Sequence, residues 1–288
     1  MSFKQIILMT GFTIALSLSG DDHLESSAVD QGMIFHHALD GKTEAAWGIG
    51  NVKAQIIGKR KQAFVSGIQD RGLKIGVDAD GKDRYGLTFE AGKNLNASTG
   101  SVGFWIKPEN WDGTNKHFQL FFGARRPNGS LQIYKYINGN GLHFYMQDDG
   151  INSSVSAMVN HWKPGDWHYV VCTWNPKEMY LYADGKRIAA GVRARCSEIP
   201  FTSLILGTMD WEAERGLSVI DEVKVYNRML NAKEIQSEFL CFGKQIVTEG
   251  AFRLAAGIAS PVLDGRIADG EYSVENSVFF EPSSVMVQ

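Results

Sequence analysis

The chemistry available to this chain rests on a few carboxylates, tryptophans and histidines. Asp210, Glu212 and Glu214 alternate within Asp210-Trp211-Glu212-Ala213-Glu214, so an extended backbone would put three carboxylates on one face and Trp211 on the other. Paired carboxylates are what glycoside hydrolysis needs, one as acid and one as nucleophile or base. Trp111, Trp162 and Trp211 fall in segments that read as turns, and Asp112 and Asn115 follow Trp111 closely. An exposed indole can stack on a sugar ring while acid and amide side chains hold hydroxyls. Trp111, Asp112, Asn115, Trp162, Trp211 and Glu212 are therefore the candidate ligand-binding residues. The same indoles could instead close the edge of a core.

His36 and His37 adjoin a first strand, and His161 and His168 flank the turn from Trp162 to Trp167. Spacing assembles no Ser-His-Asp or Cys-His set from them, and no residue is assigned a catalytic role. The sequence contains no CxxC, no HExxH and no glycine-rich phosphate loop between a strand and a helix. Cys172, Cys196 and Cys241 are an odd number and too few for a disulfide-built scaffold, although one bridge among them stays open. Cys172 reads as a small core residue.

Short strands must position these groups. The 31 glycines suit many tight turns, and extended segments are expected near 33–35, 55–58, 72–75, 85–89, 101–106, 118–122, 131–136 and 142–146. More follow near 167–174, 179–183, 186–190, 204–206 and 218–226, with Asp184-Gly185 closing a tight hairpin. The expected architecture is all-β, a two-sheet jelly-roll sandwich, with Trp105 and Trp167 filling the space between the sheets. One short helix is expected, capped by Asn231 and carrying Ala232, Ile235 and Phe239 on its apolar stripe.

The chain of 288 residues carries a net charge of -3, which argues against wholesale nucleic-acid binding. Lys4, the mostly apolar run from Ile6 to Leu18 and the polar residues at 19–22 describe an export signal over 1–22, with a buried N-terminal strand as the alternative. No cysteine follows that run to take a lipid, and no second apolar stretch reaches membrane-spanning length. A secreted, periplasmic or cell-surface location is expected.

Four motifs occur in a family's order. They are His37-Ala38-Leu39-Asp40-Gly41, the strand Gly100 to Pro108, the strand Trp167 to Trp174 followed by Leu181 to Lys186, and Gly216 to Ile235 with Asp221-Glu222 at its heart. Across 31–241 the chain resembles the laminin-G-like branch of the concanavalin-A-like lectin and glucanase superfamily. The resemblance implies a jelly roll whose recurrent residues mostly specify the fold. Similar domains hold a structural calcium ion near their first strand and the Asp-Glu strand, which would make Asp40 and Asp221 metal ligands here. The other reading gives both carboxylates to backbone amides of neighbouring loops. Asp78, Asp80 and Asp83 make a further acidic turn, read as solvated. Related hydrolases place a glutamate first in their catalytic strand, and 210–214 lacks that arrangement and falls in a connecting loop of the pattern. That loop reads as acidic and binding, or as solvated, before it reads as catalytic.

Beyond Cys241 the character changes. Residues 242–256 read as a linker, and 257–288 resemble the opening of a carbohydrate-binding family 9-like (DOMON-related) module, with Tyr272 where tryptophan is usual. Too little chain remains there for a second core, so 257–288 is expected to begin a truncated second β module. The function expected is a non-catalytic carbohydrate-binding or adhesive accessory module of an exported multidomain protein, with a polysaccharide or glycoconjugate as ligand. The alternatives are a structural or protein-binding spacer with a protein partner, and a glycoside hydrolase of the concanavalin-A-like class.

Overall fold

The computed structural model describes residues 31–242 except 59–60, 79–80, 82, 116, 138–140 and 209–214. The export signal, the 257–288 module, most of the linker, Asp80, Trp211 and Glu212 lie outside the described residues. The chain divides into two units, Met1–Gln31 and Gly32–Gln288, and only the second is described below.

Apolar and polar residues alternate along some segments, such as 129–135 and 141–148, and others, such as 168–174, are short apolar runs; both fold as strands. The first eight are β1 (Met33–His37), β2 (Trp47–Gly48), β3 (Ala54–Ile57), β4 (Phe64–Ser66), β5 (Arg71–Val77), β6 (Arg84–Glu90), β7 (Gly100–Pro108) and β8 (Gln119–Arg126). Then come β9 (Gly129–Lys135), β10 (Gly141–Asp148), β11 (Ile151–Met158), β12 (His168–Trp174), β13 (Glu178–Ala183), β14 (Lys186–Val192), β15 (Ser203–Gly207) and β16 (Leu217–Tyr226). A helix, α1, occupies 232–242.

Two antiparallel layers result. The first runs β14-β13-β12-β7-β16-β5, with β1 also on β16 and β4 on β5. The second runs β11-β10-β9-β8-β15-β6, with β3 beside β6. The pairs Gly76–Tyr85 and Val77–Arg84 stitch the layers together at β5 and β6. Asn128, Asp149 and Asp184 take positive φ values of 55°, 50° and 50°, each at a turn between paired strands. Asx residues adopt that conformation at low cost, which is why Asn128-Gly129, Asp149-Gly150 and Asp184-Gly185 close hairpins.

The core lies between the layers. Leu131, Ile133, Leu142, Phe144 and Met146 point inward from one sheet and meet Val102, Phe104, Ile106, Val170, Cys172 and Trp174 from the other. One buried ionic knot sits among them. Asp148 accepts from the guanidinium of Arg126 and from Arg193 at 2.9 and 3.1 Å. Arg126 then reaches the carbonyls of Ser197 and Ile199 at 3.1 and 2.7 Å, tying 193–199 to the sheet.

Trp105 departs from expectation. It points away from the interlayer core and is buried in a second cluster with Tyr169, Tyr182, Tyr226, Leu230 and Ile235, against which Trp167 also packs. The physical reason is alternation. Phe104 and Ile106 take the inward positions of β7, so Trp105 must face out, and α1 covers it with Phe239 stacked 5.7 Å away. Asn231 caps that helix as expected, its Oδ1 accepting from the amides of Lys233 and Glu234. Glu234 returns a bond to the Asn231 amide, which completes a reciprocal cap. The three cysteines are free, Cys172 buried and Cys241 exposed.

Candidate functional site

The outer face of the second sheet carries the constellation best suited to a ligand. Strand β9 buries Leu131 and Ile133 and turns Ser130, Gln132 and Tyr134 outward. Strand β10 buries Leu142, Phe144 and Met146 and turns His143, Tyr145 and Gln147 outward. Antiparallel register pairs them as Gln147–Ser130, Tyr145–Gln132 and His143–Tyr134. The Tyr134 and His143 rings stack at 5.2 Å with only 6° between their planes. Tyr136 packs on His143 at 5.5 Å and Phe118 on Tyr134 at 5.3 Å. Further along, Tyr145 Oη and Gln147 Nε2 both donate to Asn152 Oδ1 of β11, at 2.8 and 3.1 Å. A half-buried strip of aromatic rings and amides thus runs along the strands. Its far end meets a shallow depression of about 330 Å3 lined by Asn128, Gln147, Asp149 and Gly150.

The strip is electrically neutral near pH 7. Burial, with Tyr136 and Tyr145 nearby, pushes the Tyr134 phenol up to about 12. Burial raises Tyr145 as well and lowers His143, so its imidazole is neutral at physiological pH. No Asp or Glu occupies an outward position of β8, β9, β10 or β11. Among the described residues, the paired carboxylates of a glycosidase are therefore not found on these strands. What remains can stack on rings and exchange hydrogen bonds with hydroxyls.

The residues singled out by sequence fare unevenly. Trp111 and Trp162 are corrected: both are fully buried between the layers, so neither indole can stack on a sugar. Trp111 packs on Phe121 at 5.8 Å and donates its Nε1–H to Ser218 Oγ at 2.8 Å. Trp162 lies flat on His168 at 4.0 Å. A turn in the backbone does not expose its side chain, and both rings belong to the interlayer core.

Asp112 and Asn115 form the turn leading to Phe118. Asp112 Oδ1 accepts from Thr114 N and Oγ1 at 2.7 Å and from Asn115 N at 2.8 Å, and these bonds hold its pKa down. Trp211 and Glu212 lie outside the described residues. The amides of Arg215 and Gly216, which follow them in sequence, both donate to the Phe118 carbonyl.

Asp40 and Asp221 both serve the turn between β4 and β5. Asp40 Oδ1 accepts from the Arg71 amide at 3.2 Å. Asp221 Oδ2 accepts from Ile68 and Gln69, and its Oδ1 accepts from Glu222. Burial pushes this carboxyl up to about 8, with neighbouring Glu222 adding to the rise and the three amides opposing it. Gly67 is needed there, because a Cβ would stand 2.3 Å from Asp221 Oδ2. Calcium wants six to eight converging oxygens. Among the described residues no three acidic, His or Cys groups gather around one point. The donors present fit backbone capping better than a calcium shell.

Sequence reasoning passed over the strip itself. Its signal was the period-two pattern Ser130, Gln132, Tyr134 against Leu131, Ile133, and His143, Tyr145, Gln147 against Leu142, Phe144, Met146. Its aromatic residues sit on strands, not in the turns where Trp111, Trp162 and Trp211 stand out. Among the described residues, no helix is long and apolar enough to cross a membrane.

Comparison with known proteins agrees with this architecture. Comparison with curated proteins gives no match. Among solved structures, the binding domain of botulinum neurotoxin DC in complex with rat synaptotagmin II is similar with a TM-score of 0.59 and 17% identity, covering 74% of this chain and 52% of that chain. Botulinum neurotoxin type C, which depends on interaction with two ganglioside molecules to enter cells, gives 0.60 and 17%, covering 75% and 53%. The DC binding domain in complex with SialylT gives 0.57 and 17%, covering 74% and 52%. The chain spans about half the length of these structures. At such identity the likeness speaks for the fold alone. The family model for the concanavalin A-like lectin/glucanases superfamily matches residues 80–236, more than half of the sequence, and the chain belongs to that superfamily.

Proposed function

We propose that this chain is a non-catalytic carbohydrate-binding module of an exported multidomain protein, holding a glycan along β9 and β10. The observation that carries the reading is the neutral row of Tyr134, Tyr136, His143 and Tyr145 interleaved with Gln132 and Gln147 on an open sheet face. Sugar rings present apolar C–H faces and hydroxyl edges, and this row offers ring surfaces and amide or phenol partners side by side. The lack of outward carboxylates on β8 to β11 supports binding without cleavage. Neurotoxin type C depends on gangliosides to enter cells, which makes glycoconjugates a class to test beside plain polysaccharides. The apolar N-terminal run and the resemblance of 257–288 to a second carbohydrate-binding module support the exported, multidomain setting.

A glycan array with polysaccharide affinity electrophoresis tests the reading. Retention is expected, with loss in a Tyr134→Ala, His143→Ala variant that keeps its fold. A ligand bound equally by wild type and variant would move the site elsewhere, and new reducing ends from a polysaccharide panel would restore the hydrolase alternative.

A further inference from the structure

The inward row of β9 reads Leu131, Ile133 and then Lys135, a lysine without measurable exposure in a position the pattern reserves for apolar residues. Its Nζ donates to the Asn115 carbonyl at 2.5 Å, to Asn115 Oδ1 at 3.3 Å and to the His117 carbonyl at 3.1 Å. The Trp111 ring lies 5.5 Å away on another side. Three neutral oxygens and a π face are the surroundings a bound cation selects, and here the chain supplies its own cation. The Asp112 carboxylate adds its field without spending Oδ1 on Lys135, since that oxygen already accepts from Thr114 and Asn115.

We propose that Lys135 is an internal cation that orders Asp112 to Asn115 and His117 and so sets Phe118 against Tyr134, forming one end of the glycan strip without a metal ion. The last clause rests on the carbohydrate-binding reading; the ordering role does not. The turn brings two main-chain carbonyls and a carboxamide oxygen to one point. The carboxamide oxygen also accepts from the His117 amide, but without a central donor the two carbonyls would be buried and unpaired or would open to water. The chain leaves that point directly for Phe118, whose ring meets Tyr134 at 5.3 Å. Burial brings the ammonium down to about 8, so it still carries its proton in most molecules at pH 7.

Hydrogen exchange of the 112–118 amides is the direct readout, because it requires no glycan. In Lys135→Met, a neutral side chain of similar length, exchange at Thr114, Asn115 and His117 should accelerate at least tenfold, while the β12 and β13 amides keep their protection. In Lys135→Ala, millimolar propylammonium should restore protection and neutral butanol should not. Wild-type protection should survive EDTA. Unchanged exchange in Lys135→Met would overturn the proposal, as would equal rescue by butanol, which would make the role one of packing. Should the substitutions prevent folding, the EDTA arm on wild type still decides: accelerated exchange in the turn would assign the cation to a metal. Strip ligands found for wild type should bind Lys135→Met at least fivefold more weakly. Unaltered affinity beside faster exchange would sink the link to the strip and leave the ordering role standing.

Discussion

The outer faces of the two sheets start from similar side chains and end differently. On the first sheet, Trp105, Tyr169, Tyr182 and Tyr226 stand outward and are buried, because α1 lays Ile235, Phe239 and Phe242 over them. On the second, Tyr134, Tyr136, His143 and Tyr145 also stand outward, yet they stay half-buried with no helix among the described residues laid across them. Aromatic residues on an outer face therefore carry two meanings. Where the same chain supplies a cover they complete a second core, and where no described residue does so they stay partly exposed and can meet a ligand. Ion pairs follow the same division. Lys224 pairs with Glu238 and Arg228 with Glu234 to fasten α1, whereas the open strip is neutral.

The comparison predicts opposite responses to truncation, and this is the largest effect expected. Trp105→Ala should cost about 3–5 kcal/mol of unfolding free energy, since a large fully covered ring leaves a cavity. Tyr134→Ala should cost less than about 2 kcal/mol, because its ring is only partly covered. Urea denaturation of both variants measures the gap. Similar losses would mean that the second face is as much a structural core as the first.

Acid should separate fold from site. His37 lies in the core, its Nδ1 accepting from the Leu39 amide at 3.2 Å while Nε2 faces the Thr43 carbonyl at 3.1 Å. That arrangement needs the neutral ring, and burial lowers its pKa to about 4. The folded state thus resists a proton that the unfolded chain accepts below about 6.5. The stability is fully present above pH 6.5, is lost as pH falls towards 4, and amounts to about 3 kcal/mol across that window. Because burial holds the Asp221 carboxyl up at about 8, it contributes a slope of opposite sign, and the difference between wild-type and His37→Gln melting curves from pH 7 to 4 is what isolates the His37 slope. His143 is shifted in the same direction but sits on the open strip, so His143→Gln should leave most of that slope in place.

Binding should obey the converse rule. Tyr134→Ala with His143→Ala should weaken a strip ligand at least tenfold, about 1.4 kcal/mol. Tyr182→Phe on the covered face should leave affinity within twofold. Titration of a glycan found on the array would measure both, and a large loss in Tyr182→Phe would place the ligand on the wrong sheet for this comparison.

The layered fold was legible because its signals are local. Asp184-Gly185 announces a hairpin, Ser101 to Ile106 alternates well enough for a strand that Pro108 ends, and Asn231 announces a capped helix. Strand β11 escaped because Asn152, Ser153, Ser154 and Ser156 have little strand preference, and its pairing with β10 over eight register positions decides the matter. The site was less legible for a related reason. Whether Trp105, Trp111 or Tyr134 reaches solvent depends on what another segment lays over it, and no window of sequence contains both partners. Lys135 was hidden in the same way, since its oxygen partners stand at Asn115 and His117.

The smallest effect tests the cover itself. Asn231 ends the irregular stretch after β16 and starts α1 through two accepted amide bonds, so Asn231→Ala should cost about 1 kcal/mol. That loss should loosen the helix locally before it unfolds the sandwich. The amides of α1 and the fluorescence of Trp105, stacked under Phe239, should respond together, whereas strip affinity should not move. A change in glycan affinity in Asn231→Ala would couple the two faces through the intervening layers. The closed face would then be part of the binding apparatus, and the division drawn between a covered core and an open site would no longer hold.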